Sequence, residues 1–325
     1  MLSSKQNVAQ CSNIAMIAER TILKLLVINN LASGYREGLA YDFVRAFAAD
    51  GDEITIRTTD GTTDLNTFLH DATSFDAVAV SGGDGTITAV SHRLAYTGVP
   101  ILPIPAGTGN LLSINLASPN EVHALANQLR DFQIREFDIA EIQVGWNRYG
   151  YTLIAGAGYD ATIMKDAQSN KGLLGPMAYF SAALTNLNPQ YSKLSISIDG
   201  QEPIERKGLG VMVANFSKIQ FDVPIAHQTN PQDGLLELII LKSENAFGLI
   251  PALGAAFLDR GGEFPERSDS IEIIQCKNAT VVADPPLQVQ YDGDTIDQTT
   301  PVSFRVLPKA VRYIVSKEAC ELYKE

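Results

Sequence analysis

SGGDGT at residues 81–86 and PAGTGN at 105–110 are two turns built from glycine and hydroxyl side chains, each directly after a short apolar run, FDAVAV and VPILPIP. A buried strand, a small-residue turn and a helical segment (ITAVSHRLAYTG after the first turn, NLLSINLA after the second) make a βα unit, and here two such units follow each other. Upstream, TILKLLVINN (21–30) leads through LASGYREG into the helix-compatible LAYDFVRAFAAD. DEITIRTT (52–59) and a helical stretch around Leu65 to Ala72 come next. Strands alternating with helices in units of about thirty residues predict a parallel sheet in a doubly wound α/β domain, with ligands at the carboxyl ends of the strands.

A turn between such a strand and its helix directs unpaired backbone N–H groups outward at the positive end of the helix dipole, which makes an anion site. Gly82, Gly83 and Gly85 allow close approach of a phosphate, and Thr86 can cap the helix or bond a phosphate oxygen. Asp84 is the exception, because a carboxylate beside a phosphate repels it unless a divalent cation or a hydroxyl donor stands between them. One glycine-rich turn is equally an ordinary βα connection; two on successive strands, with SGYRE after the first strand as a third, favour a ligand site. Neither G-x-G-x-x-G nor the G-x-x-x-x-G-K-S/T loop occurs at these turns, so the two standard nucleotide-binding fingerprints are excluded.

Near residue 138 the texture changes. REFDIAEIQVGWNRYGYTLIAGAGYD, YSKLSISIDGQ, KGLGVMVANFS, GLLELIILK, SIEIIQCKNATVVA, LQVQYDGDTI and PVSFRVLPKAVRYIV are alternating runs separated by turn residues, which predict an antiparallel β-rich second domain. Helical patches interrupt it at about 174–186 and 246–258, and SKEACELYKE at the end is helix-compatible. The expected division is an α/β domain over 1–138 and a β-rich domain over 139–308, with 309–325 packing back on the first.

The 325 residues contain 37 Asp and Glu against 25 Lys and Arg, a formal charge of −12, which argues against nucleic-acid binding. No segment reaches the roughly 18 uninterrupted apolar residues of a membrane span, so any membrane contact is expected to be peripheral. Cys11, Cys276 and Cys320 are odd in number and far apart, which suits a reducing cytoplasm and neither a disulfide framework nor a zinc site. The first twenty residues lack the pattern of a signal peptide and read as a loose or weakly helical leader. His70, His92, His123 and His227 are scattered without metal-ligand spacing and read as ordinary surface or core residues.

SGGDGTITAV followed by PIPAGTGNLLS resembles the diacylglycerol kinase catalytic-domain family of bacterial lipid kinases, sphingosine kinases and ceramide kinases. GAGYDA (156–161), LLGPMAYF (173–180), NPQDGLLEL (230–238) and VQYDGDTI (289–296) follow in the family's order. The resemblance implies an N-terminal NAD kinase-like nucleotide-binding domain and a C-terminal antiparallel domain. It implies ATP contacts at Asn30, Ser33 and Gly34, at Thr59, at Gly82, Gly83, Asp84, Gly85, Thr86, Ile87 and Thr88, and at Gly107 and Thr108. It further implies a structural Mg²⁺ on Asp233 with the carbonyls of Asn230 and Leu235, a substrate-head contact at Asp160, and an acidic general base in YDGDTI. For that base Asp294 replaces the family's glutamate, and Asp292 stays open as the other candidate. Leu111 stands where bacterial relatives often carry an aspartate in the magnesium network, which would place more of that task on Asp84.

The function so implied is Mg²⁺-dependent transfer of the γ-phosphoryl group of ATP to a lipid hydroxyl in an interdomain cleft. An NAD-kinase-like enzyme acting on a soluble hydroxyl and a non-catalytic nucleotide or lipid sensor are the alternatives. The partners expected are a lipid substrate and a membrane surface, with a homodimer left open.

Overall fold

The computed structural model describes residues 23–33, 38–49, 51–158, 189–216, 218–219, 223–224, 230–244, 249 and 270–323. The first half runs β1 (Lys24–Asn30), α1 (Leu39–Phe47), β2 (Glu53–Thr59), α2 (Asn66–Leu69), a 3-10 turn at Ala72–Ser74, β3 (Ala77–Gly82), α3 (Asp84–Arg93), β4 (Pro100–Pro105), α4 (Leu111–Asn115) and α5 (Val122–Asp131). The second half begins with β5 (Ile134–Val144), β6 (Asn147–Tyr151), β7 (Ile154–Gly158), β8 (Ser192–Ile198), β9 (Ile204–Gly208), β10 (Gly210–Ala214), β11 (Lys218–Ile219) and β12 (Val223–Pro224). It continues with β13 (Leu236–Leu241), β14 (Ile271–Cys276), β15 (Asn278–Asp284), β16 (Gln288–Tyr291), β17 (Asp294–Thr299), β18 (Val302–Ile314) and α6 (Lys317–Leu322). Gly34, Asp160, LLGPMAYF and both interior helical patches, apart from Leu249, lie outside the described residues.

The apolar runs become parallel strands in the order β2-β1-β3-β4 because both faces of this sheet are covered. On one face Phe43 and Phe47 of α1 and Leu125 and Leu129 of α5 pack on Val27, Ala79 and Leu102. On the other, Ile87 and Val90 of α3 pack on Ile28, Val80 and Ile101. Strand β3 takes in Ser81 and Gly82, and α3 starts at Asp84, so the glycine turn is a single residue, Gly83, rather than the longer loop the spelling suggests.

The β-rich half is antiparallel, as expected, but the texture change near residue 138 is not a break in hydrogen bonding. The 13-residue strand β18 pairs in parallel with β4 through Arg312 and Tyr313 and antiparallel with β5 along nearly its whole length. Its first half also pairs with β15, and this sheet continues through β8 to β9, with β6 on the outer edge of β5. A second sheet, β14-β13-β10-β7-β16-β17, packs on that extension; Ala140, Ile142 and Phe304 from one side meet Ala157, Val211 and Leu238 from the other. After α6, the Tyr323 hydroxyl donates to the Asn115 carbonyl (2.8 Å), and its ring meets Phe137 edge-on at 5.0 Å.

Candidate active site

The carboxyl ends of β1, β2 and β3 open into a cleft of about 760 Å³, closed on its far side by β6 and by the turn between β16 and β17. The three turns that the sequence singles out are tied together at its base. Gly83 N–H donates to Ser33 Oγ (3.2 Å), and Asn30 Nδ2 donates to Thr86 Oγ1 (2.7 Å) while its Oδ1 accepts the Ala32 N–H (2.9 Å). Thr59 is buried, and its hydroxyl accepts the Gly61 N–H (3.1 Å). The two glycine turns touch through bare backbone: a Cβ on Gly107 would lie 2.5 Å from the Gly83 Cα. A Cβ on Gly82 would fall 2.6 Å from Thr86 Cβ, so that glycine makes room for the hydroxyl that Asn30 holds.

Not every residue of the SGGDGT segment faces the cleft. Thr86 N–H and Ile87 N–H are spent on the Gly83 carbonyl, and the Ile87 side chain is core. Gly85 N–H has no acceptor among the described residues, and Gly85 lines the cleft at the positive end of α3. Asp84 turns the other way. Its Oδ1 accepts the Leu112 N–H (2.9 Å) at the start of α4, and burial pushes its carboxyl up while the α4 amides pull it down. Asp84 thus stitches the two glycine turns together, with Oδ2 directed toward Gly109. Thr108 is exposed on the outer rim, in a turn closed by Asn110, whose side chain accepts from Gly107 N–H (2.9 Å) and donates to the Gly107 carbonyl (2.8 Å).

The two aspartates of YDGDTI have different surroundings. Tyr291 pairs with Asp294 across a two-residue turn in which Asp292 (φ 43°) and Gly293 (φ 89°) both have positive φ, the type I′ geometry of an Asp-Gly hairpin. The Asp292 carboxylate accepts the backbone N–H groups of Thr152 (2.8 Å), Leu153 (2.9 Å) and Ile154 (3.1 Å), with the Thr88 and Thr152 hydroxyls at 3.0 and 3.2 Å. Burial pushes its carboxyl up to about 6 against the pull of these donors. Asp294 is exposed, has no hydrogen-bond donor among the described residues, and brings Oδ2 to 3.7 Å from the place a Cβ on Gly85 would occupy. One aspartate therefore locks the hairpin to the β6–β7 connection, and the other stands free over the start of α3. Thr88 serves the lock, although it also lines the cleft.

The NPQDG loop lies away from this cleft. Leu235 N–H donates to Asp233 Oδ1 (2.9 Å), Asp233 N–H donates to the Asn230 carbonyl (3.2 Å), and burial pushes the exposed-side Asp233 carboxyl up. The buried Asp138, which the sequence reading did not single out, organises the loop: it accepts Gly234 N–H and Lys309 N–H, both at 2.7 Å, and its own N–H donates to Pro231. Among the described residues no three His, Cys, Asp or Glu side chains gather into a metal cluster. A cation here would depend on Asp233 Oδ2 and main-chain oxygens of Asn230 and Leu235, an oxygen-only set that fits a hard ion.

Several cleft residues carry no motif. His92 Nε2 lies 2.8 Å from Glu141 Oε1, and Glu141 also meets Arg305. Arg93, Arg148 and the stacked pair Tyr149–Tyr291 (centroids 5.0 Å apart) line the same wall. One signal was legible in the sequence: Gly150 interrupts strand β6, where a glycine marks a close approach. A Cβ there would lie 2.4 Å from His92 Cβ.

The chain matches the family model "Diacylglycerol kinase catalytic domain" over residues 24–142 and the model "YegS C-terminal NAD kinase beta sandwich-like domain" over 154–315. It is 27% identical over 244 residues to an uncharacterized Synechocystis protein, covering 74% of this chain and 55% of that one. It is 26% identical over 252 residues to a Staphylococcus haemolyticus protein provisionally named a lipid kinase, covering 76% and 78%. In three dimensions it resembles a protein of Bacillus anthracis provisionally described as a diacylglycerol kinase, with a TM-score of 0.75 at 23% identity over 93% of this chain and 99% of that one. An Archaeoglobus fulgidus NAD kinase in complex with ATP shares the fold at a TM-score of 0.51 and 14% identity, over 92% and 96%. With a parallel nucleotide-type sheet, an antiparallel second half and matching models on each, the chain belongs to the diacylglycerol kinase catalytic-domain family.

Proposed function

We propose that the chain is a lipid kinase that transfers the γ-phosphoryl group of ATP to the hydroxyl of a diacylglycerol-like or sphingoid-like lipid. The observation that carries this reading is the meeting, across one cleft, of the uncommitted Asp294 carboxylate and the exposed backbone at Gly85. The triphosphate lies on the Gly83–Gly85 backbone at the positive end of α3, where fixed N–H dipoles stabilise the charge that spreads over the transferring group. Asp294 accepts the proton of the lipid hydroxyl as its oxygen bonds to the γ-phosphorus, and the bond to the β,γ-bridging oxygen breaks to release ADP. Asp292 positions Asp294 by fixing the hairpin that carries it. Magnesium, when bound, would offset phosphate charge; Asp84, turned toward α4 and Gly109, does not face the cleft to hold it, and Asp233 with its loop carbonyls would suit a separate, structural ion.

Incubating the protein with γ-labelled ATP, Mg²⁺ and a panel of diacylglycerol, sphingoid base, monoacylglycerol and isoprenoid alcohol, with NAD as the soluble comparison, tests the assignment. Label on a lipid is expected. Label on NAD alone would replace it with the soluble-hydroxyl reading, and binding of ATP and lipid without any labelled product would make the protein a sensor.

A further inference from the structure

We propose that the tip of the β5–β6 hairpin is a membrane-docking surface: Trp146 enters the interfacial zone of an anionic bilayer, and Arg148 faces its headgroups. The partner class rests on the lipid-kinase reading; the surface is defined by geometry and charge. Trp146 is the only tryptophan of the chain and is 100% exposed, held out by a two-residue turn in which Gly145 has φ 57° and Val144 pairs with Asn147. An indole presents an apolar body with one N–H donor, which suits the boundary between headgroups and acyl chains better than water.

Charge supports the same occupant. Arg57, Arg130, Arg206, Arg305 and Arg312 each meet a carboxylate. Among the described residues Arg148 donates to the neutral Gln143 Oε1 (3.1 Å) and meets no carboxylate, whereas Arg93 donates to the amide oxygen of Asn66 and is also attracted by the nearby Asp64 carboxylate. In a chain of net charge −12, anionic headgroups repel the molecule as a whole, so contact requires a local place where a cationic side chain keeps its charge uncompensated, as Arg148 does among the described residues.

The position of this tip fits the cleft. Strand β6 runs along α3, with Thr152 Oγ1 2.8 Å from Thr88 Oγ1 and Gly150 against His92. Arg148 lies two residues, about 7 Å, further toward the tip, and Trp146 as far again. Arg148 and Arg93 also line the cleft, so a bilayer seated on the tip meets the cleft at the C-terminal end of α3, opposite the phosphate turn. A lipid would enter from that end with its hydroxyl moving toward Asp294.

The lone tryptophan reports directly. Wild-type protein is titrated with phosphatidylcholine vesicles with and without 30% (roughly, to give a strongly anionic surface) phosphatidylserine, following Trp emission, quenching by brominated lipids and co-sedimentation. Expected are a blue shift and quenching with the anionic vesicles, both weakened by salt. Trp146→Ser should weaken vesicle binding about tenfold and Arg148→Gln about fivefold. Trp146→Ser should also keep full activity on a water-soluble short-chain diglyceride while losing it on vesicles. Sedimentation with unshifted Trp emission, or no sedimentation at all, overturns the proposal. Emission and sedimentation need no turnover, so docking without a phosphorylated lipid would count against the kinase reading alone, and turnover on the short-chain acceptor without docking would count against this surface alone.

Discussion

Asp292 and Asp294 stand two positions apart in one hairpin and differ in their surroundings. Asp292→Ala removes the acceptor of three backbone N–H groups and leaves them without partners, so a destabilisation of about 3 kcal/mol is expected in urea titrations. Asp294→Asn, at an exposed carboxylate with no donor among the described residues, should change stability by less than about 0.5 kcal/mol. Its turnover should nevertheless fall by a factor of about 100 or more. Reversal of this pattern, with Asp294→Asn unfolding the protein or retaining activity, would assign chemistry to Asp292. The acid titration adds a second readout. Burial raises the Asp292 carboxyl to about 6 from 3.8, so the folded state binds this proton more tightly than the unfolded chain. Its contribution to stability is therefore full below about pH 4 and is lost as pH rises through about 6. The wild type should show this falling limb relative to Asp292→Asn, which lacks the titration; parallel stability curves for the two would refute it.

At the scale of elements, the site is a contact between turns. Gly83 and Gly107 lie between strand and helix of successive βα units, and the space between them admits no Cβ on Gly107 without moving backbone. Gly107→Ala should cost about 1–3 kcal/mol of stability and, by spreading the turns, weaken nucleotide binding about tenfold or more; calorimetric titration with ATP and thermal melting measure both. Unchanged ATP affinity would mean that the phosphates do not lie on this junction. The presence of both turns was legible from their spelling. Their joining by Asp84 was not, because an aspartate after glycines reads the same whether it faces a ligand or caps the helix of the neighbouring unit.

At the scale of the molecule, β18 decides how the halves are coupled. It hydrogen-bonds to β4 of the nucleotide-type half and to β5 and β15 of the antiparallel half, and Tyr313 Oη donates to Ser91 of α3 (2.8 Å). Opening one half therefore frays the edge of the other. Heat or urea should unfold the chain in one transition, with calorimetric and van't Hoff enthalpies in a ratio of about 1. Two resolved transitions would show that the shared strand transmits little.

Apolar periodicity, glycine turns and the Asp-Gly hairpin are local properties of the chain, so the alternating βα units, the antiparallel second half and the loop motifs can be read directly from the residues. Tertiary structure alone decided that Asp292 is enclosed while Asp294 is free, that Asp84 binds α4, that Asp138 anchors the NPQDG loop, and that His92, Arg93 and Arg148 share a cleft with the glycine turns. Each of these depends on what a distant segment places beside the residue: Thr152 to Ile154 lie about 140 positions from Asp292, and the local spelling around a carboxylate carries no record of the donors that close on it.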